Sequence, residues 1–228
     1  FSVIPGNFAT SQMADGRSNI DAATIARMNE QFGLNDPLPL RFAKYVGGLA
    51  TFDLGDSFRT RQPVTNLIGE RLWPSLQLAL AAMFFAIVIG VPLGFFAALK
   101  PGSWVDTLSM VFAVSGLSLP MFWLGLLLMY AFALTLGWFP SFGYGDGNPR
   151  YIVLPAVALG VAPLALLART TRAAVLEVMN ADFVRTARAK GNSEVRVMRW
   201  HVARNAMVIV LTTLGLQFGS IMGGAVGI

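Results

Sequence analysis

Four long runs without a charged side chain divide this chain, and the polar stretches between them set its organisation. Ser75 to Leu99 is uncharged throughout, enough at about 1.5 Å per residue to cross a hydrocarbon core of roughly 30 Å as a helix. Thr107 to Leu136 is a second run, broken by Gly116 and Pro120. It is long for one straight span, so tilt, a kink at Pro120 or an interfacial end near Leu136 must absorb the excess. Tyr151 to Ala168 is a third, interrupted by Pro155 and Pro163, and the apolar part of Ala173 to Val178 prolongs it. Ala206 to Ile228 is the fourth. The pattern therefore predicts spans at about 75–99, 107–136, 151–168 and 206–228. Trp73, Trp138, Phe139, Tyr144 and Tyr151 stand near their ends, where aromatic rings suit the membrane surface. Gly90 and Gly94 lie one helical turn apart with Pro92, a predicted kink, between them. Gly215, Gly219, Gly223 and Gly227 recur every four residues. Each set makes a smooth strip that another helix can approach closely; whether the second strip meets another subunit stays open.

Residues 1–74 read differently. Seven basic residues (Arg17, Arg27, Arg41, Lys44, Arg59, Arg61, Arg71) balance seven acids (Asp15, Asp21, Glu30, Asp36, Asp53, Asp56, Glu70). Ile25, Met28 and Phe32 recur at helical spacing, with Gly33 as a stop and Pro37 and Pro39 against continuation. A second short helix is expected from about Leu40 to Val46, ended by Gly47 and Gly48. The segment reads as a small extramembrane cap of short helices and loops, with a simple linker as the other reading.

Charge then orients the spans. Arg169 to Arg204 holds Arg169, Arg172, Arg185, Arg188, Lys190, Arg196, Arg199 and Arg204 against Glu177, Asp182 and Glu194. Its balance, +5, equals that of the whole chain. Basic loops are retained in the cytoplasm, so alternation puts 137–150 outside, 100–106 inside and 1–74 outside, the periplasmic side if the membrane is a bacterial inner one. Composition agrees: 55% of the 228 residues are hydrophobic and 13% charged, with a mean hydropathy of +0.60. That excludes an ordinary soluble domain. Nucleic acid is not an expected partner, because no basic domain stands apart from the apolar runs. The chain starts at Phe1 and stops at Ile228 inside an apolar run, which reads as a fragment lacking both natural ends.

Catalytic patterns are missing. There is no cysteine, no glycine-rich phosphate loop ending in Lys-Ser and no His-Glu-x-x-His. No metal, cofactor or catalytic residue is expected, and the chain reads as no enzyme. His201, the sole histidine, reads as a surface or interface residue. Ser109, Ser115 and Ser118 lack a base in their run and read as packing donors or pathway lining. The four runs as bounded hold no Asp, Glu, Lys or Arg, which weakens a proton-coupled carrier. Energy could instead enter from outside the membrane domain, and the basic loop is the candidate port.

Within that loop, Asp182 can cap a helix over Phe183 to Lys190, and Gly191 can end it. Ser193 can cap the next, with Glu194 in its first turn. Val195, Met198 and Val202 then share one face, leaving Arg196, Arg199 and Arg204 for water or anionic headgroups of membrane lipid. Thr186, Ala187 and Ala189 are small enough to sit in a partner's groove. Periodicity leaves two readings open, a docking knob and a solvated basic loop.

The segment ADFVRTARAKGNSEVRVMRWHVARNA (residues 181–206) resembles the EAA loop of inner-membrane permeases of ABC importers, and most closely the dipeptide and oligopeptide branch. LNDPLPLRFAKYVGGLATFDLGDSFRTRQPV (34–64), GLSLPMFWLG (116–125) and Ile4-Pro5-Gly6 extend the resemblance over nearly the whole chain. Arg185, Thr186 and Ala187 occupy the E-A-A places and Gly191 the loop glycine, with Arg for Glu at the first place. Ile209 stands where the family often has proline, which puts the local bend before the last span in doubt. The resemblance implies an all-α polytopic helix bundle of the type I ABC importer permease kind, a six-span protein lacking its first span and last portion. It implies a cap at 1–74, a transmembrane domain at 75–228 and a coupling loop at 169–204. Asp182, Phe183, Arg185, Thr186, Ala187, Arg188, Ala189, Lys190 and Gly191 then form a helix that docks on a separate ATP-binding cassette subunit. A second permease subunit and a periplasmic solute-binding protein complete the expected partners, and the cargo is a peptide or similar small solute. The alternative is a secondary carrier or channel needing no ATPase.

Overall fold

The computed structural model describes residues 36–57, 60 and 62–224. Ile25, Met28, Phe32, Gly33 and Gly227, on which some expectations rest, lie outside them. The chain divides into two compact units, Phe1–Glu70 and Arg71–Ile228.

In the first unit, α1 (Leu38–Ala50) starts behind Pro37 with a proline in its first turn, where a missing amide hydrogen costs nothing. It does not stop at Val46. Glycine weakens a helix without forbidding it, and α1 runs through Gly47 and Gly48 to Thr51, whose hydroxyl donates to Gly48 O at 3.1 Å. Beyond it, Asp53 Oδ1 accepts from the Gly55 amide at 3.0 Å, with Gly55 at φ +70°, and Asp56 pairs with Pro63 in an isolated bridge.

The helices that follow are α2 (Val64–Leu99), α3 (Trp104–Ser118), α4 (Met121–Leu128), which passes into a π-helical Met129–Thr135, α5 (Pro149–Met179), α6 (Asp182–Ala189), α7 (Glu194–Arg196), a π-helical Val197–Ala203 and α8 (Arg204–Gly224). Among the described residues three stretches are long and apolar enough to cross a membrane: Val64–Leu99, Pro149–Met179 and Glu194–Gly223. A fourth arises only if α3 and the helix after it count as one span, and these are bent by 103°.

Several boundaries differ from those the apolar runs suggest. The helix that carries the first run opens at Val64, ahead of Ser75, and contains both Pro74 and Pro92 without a break. Pro155 and Pro163 likewise sit inside α5 and do not interrupt it. Neighbouring helices satisfy the carbonyls that proline frees, so a packed membrane helix tolerates it. Pro120 behaves otherwise. Leu119 and Pro120 are extended, at ψ 126° and 130°, and the second run turns a corner there. The 31 residues of α5 span about 46 Å, roughly 15 Å more than a hydrocarbon core. The basic end, Arg169 to Met179, is therefore the tail of a rod, and the true turn begins at Asn180.

Three layers of core join α2, α5 and α8. Ala79, Ala82, Met83, Ala156, Leu159 and Ile221 form one. Ala86, Leu164, Leu167 and Val210 form the middle. Ala98, Ala174, Val175, Val184, Ala187, Val197, Val202 and Ala206 close the basic end. The prevalence of alanine follows from Gly90 and Gly94: a Cβ on Gly90 would sit 2.7 Å from Leu164 O, and one on Gly94 would strike Ala168 O. With lipid as apolar as leucine, such close backbone contact is what holds membrane helices together. Gly215, Gly219 and Gly223 have nothing within 4 Å of an added Cβ.

Candidate functional site

The basic end is built around α6. Its first residue is Asp182, preceded by Ala181 at the N-cap position with no side-chain cap. Asp182 therefore lies in the first turn instead of capping it, where its charge still suits the helix dipole. Thr186 Oγ1 donates to Asp182 O at 3.0 Å. The chain leaves α6 through Gly191 at φ +77°, a left-handed conformation that glycine adopts at least cost. Asn192 Nδ2 donates to Ala187 O at 3.0 Å and closes the helix end.

One face of α6 packs inward. Val184 and Ala187 are buried among Val175, Val197 and Val202. Ala187 therefore anchors the helix to its own chain and is not part of an outward groove-filling surface. Asp182, Phe183, Arg185, Thr186, Arg188, Ala189, Lys190 and Gly191 are exposed. Arg185 lies 3.6 Å from Asp182 and is 73% exposed, a loose pair that leaves its charge available. Arg188 forks onto Glu194, Nε to Oε2 at 3.1 Å and Nη2 to Oε1 at 2.7 Å, tying α6 to α7. The carboxylate raises the Arg188 pKa above its ordinary value.

The following helix differs in phase from the expected face. Ser193 occupies the N-cap position without a side-chain bond. Val195 is 78% exposed, while Val197 and Val202 are fully buried. A π-helical step bonds i to i+5 and widens the turn, so Val197 joins Val202 and the half-buried Met198 on the packed face, and of the expected three only Val195 turns outward. Arg196, Arg199 and Arg204 are exposed, and Arg199 lies 5.7 Å from the Trp200 ring centre. His201 is half-buried and its carbonyl accepts from Asn205 Nδ2 at 2.6 Å. No group of metal-holding side chains occurs among the described residues.

A second feature escaped the sequence. Asp106, 4% exposed, accepts from Arg172 Nε at 2.5 Å and from Arg172 Nη2 at 2.7 Å. Its Oδ2 also accepts from the Gly102 amide at 2.9 Å, and its own amide donates to Ser103 Oγ at 3.3 Å. The four runs as bounded hold no charge, but the helices outrun them: α3 begins at Trp104 and α5 extends past Arg172, so both partners are helical. Ser103-x-x-Asp106, a helix-start pattern, was the available signal. Ser109 and Ser118 bond their own helix, to Val105 O at 2.7 Å and Val114 O at 2.9 Å. At the other end of the bundle, Tyr144 Oη donates to Gln77 Oε1.

Comparison with known proteins adds three findings. Residues 90–228 match the family described as binding-protein-dependent transport system inner membrane component. The dipeptide transport system permease protein DppB of Alkalihalophilus pseudofirmus is 38% identical over 252 aligned residues, covering 98% of this chain and 74% of that protein. The glutathione transport system permease proteins GsiC of Escherichia coli O6:H1 and of Salmonella paratyphi A are 44% and 42% identical over 206 residues, each covering 90% of this chain and 67% of the relative.

Proposed function

This chain belongs to the family of binding-protein-dependent transport system inner membrane components, and on that premise we propose that it takes up peptides or peptide-like solutes, driven by a separate ATP-binding cassette subunit that docks on α6. It is a multi-pass membrane protein and a transport subunit. The observation that carries the docking site is the division of α6. Val184 and Ala187 fix it to the ends of α5 and α8, while Asp182, Phe183, Arg185, Thr186, Arg188 and Ala189 face outward. A helix held rigidly by one face and bare on the other suits a groove in a partner. Lys190 and Gly191 end the docking helix and set the chain's exit from it.

The peptide-like cargo rests on the relatives, whose names specify dipeptide and glutathione. In this reading the basic end is cytoplasmic and the membrane is a bacterial inner membrane. Residues 1–74 form a periplasmic cap, and 75–228 form the membrane domain. A solute-binding protein delivers cargo from the periplasm. A second permease subunit packs on the strip of Gly215, Gly219 and Gly223. Arg196, Arg199 and Arg204 meet anionic lipid headgroups.

Charge reversal tests the docking site. With Arg185→Glu and Arg188→Glu together in the complete transporter, ATPase co-purification and solute uptake should each fall by about tenfold or more, since like charges set against an interface cost several kcal/mol. Wild-type uptake with both reversals in place would remove α6 from the coupling role.

A further inference from the structure

We propose that the Asp106–Arg172 pair is the joint that makes the bent helix α3–α4 move together with α5 and α6, so that a push on α6 reaches the interior of the bundle. The inference rests on the reading of α6 as the docking helix, and it adds the positioning residues that carry motion inward from it.

The geometry supports this in three steps. First, α3 lies antiparallel along α5, and two of the contacts between them differ in kind. Near its far end, a Cβ on Gly116 would meet Val161 Cγ1 at 3.0 Å and Ala165 Cβ at 3.5 Å. That contact is apolar and carries no directional bond. Near its start stands the two-bonded fork of Arg172 on Asp106, whose planar geometry accepts one register alone. Second, Asp106 also receives the Gly102 amide, and its backbone is held by Ser103, so the fork grips the α2–α3 turn as well as the helix. Third, α5 is unbroken from Arg172 to Met179, and α6 is packed onto Val175 of the same rod. Arg172 and α6 are therefore parts of one body.

A buried ion pair adds little net stability, since desolvation offsets the attraction, whereas a single member left alone is strongly destabilising. Stability and register can thus be separated. The experiment uses the complete transporter in proteoliposomes with its ATPase and solute-binding subunits, and compares Asp106→Asn, Arg172→Gln, the double Asp106→Asn/Arg172→Gln variant, and Arg172→Lys. Thermal melting, ATP hydrolysis and uptake are measured for each. We expect the single neutralisations to melt below wild type and the double variant to recover most of that loss. Solute moved per ATP hydrolysed should stay depressed by roughly tenfold in the double variant, the size of an ordinary coupling between sites. Arg172→Lys keeps the charge balance and loses the fork, so it should assemble and show a smaller drop in the same ratio.

If uptake per ATP tracks melting across the set, returning to wild type in the double variant, the pair is a structural staple and the proposal is wrong. If the double variant fails to assemble, a wild-type ratio in Arg172→Lys overturns it equally. A wild-type chain that holds no ATPase subunit would instead refute the underlying reading of α6, a result visible before any variant is made.

Discussion

Gly90 and Gly94 on α2 and Gly215, Gly219 and Gly223 on α8 repeat the same four-residue step, yet the bundle treats them oppositely. The first pair lets Leu164 O and Ala168 O of α5 approach so closely that no Cβ fits. The second set meets open space. Both helices are apolar over the whole circumference, so polarity does not distinguish a packed face from a bare one in lipid. What separates them is the placement of α5, whose Leu164 O and Ala168 O lie against α2 and whose Gly160 lets Ala82 O of α2 approach in return. The contrast teaches that a glycine step marks a surface capable of close approach, and that the neighbour decides whether it is used.

Substitutions can break that contrast. The largest effect belongs to Gly94→Val. Its Cβ would overlap Ala168 O and lie 2.9 Å from Thr171 Cβ, and since neither backbone can yield, a loss of about 3 kcal/mol or more is expected. Melting of the purified protein in detergent measures it, and an unchanged midpoint would contradict the close α2–α5 contact. Val184→Ala comes next. This side chain is fully buried at the basic end, where water is the reference, so about 2 kcal/mol should be lost. Its counterpart Val195→Ala, on a side chain 78% exposed, should shift the melt hardly at all; equal effects would refute the π-helical phase.

Gly219→Val should change the isolated chain by no more than about 0.5 kcal/mol, because nothing stands in its way. Yield of the paired permease subunits should nevertheless fall, and an unchanged yield would separate the strip from subunit contact. The smallest effect is expected from Glu194→Gln. The Arg188 fork is solvent-exposed, so its removal should leave the melting midpoint within measurement error, while a large shift would mean that α6 depends on α7 for its position.

Much of the architecture was legible in the pattern of charges. Three of the four apolar runs fall on helices long enough to cross a membrane and the second on a bent pair, and the position of α6 between Asp182 and Gly191 could be read to within a residue. Helix ends were less legible, because a run of uncharged residues records where lipid begins, whereas a helix continues for as long as its backbone bonds are satisfied. That is why α5 carries Arg169 and Arg172 beyond the expected end, and why α2 begins at Val64. Pro155 and Pro163 looked like interruptions and are not, while Pro120 is a corner. A proline's effect depends on whether neighbours satisfy the freed carbonyl and whether the preceding residue is extended.

Composition and charge order determined by themselves that this is a multi-pass membrane protein with one strongly basic end, because the cost of charge in hydrocarbon leaves few alternatives; the all-α bundle came with the family resemblance. Its family membership was likewise readable in the 181–206 segment. Only the tertiary structure decided which glycines are covered, which side of α6 is free, and that Asp106 meets Arg172. Those outcomes depend on residues far apart in the chain being brought to one place, and no local spacing encodes a partner 66 positions away.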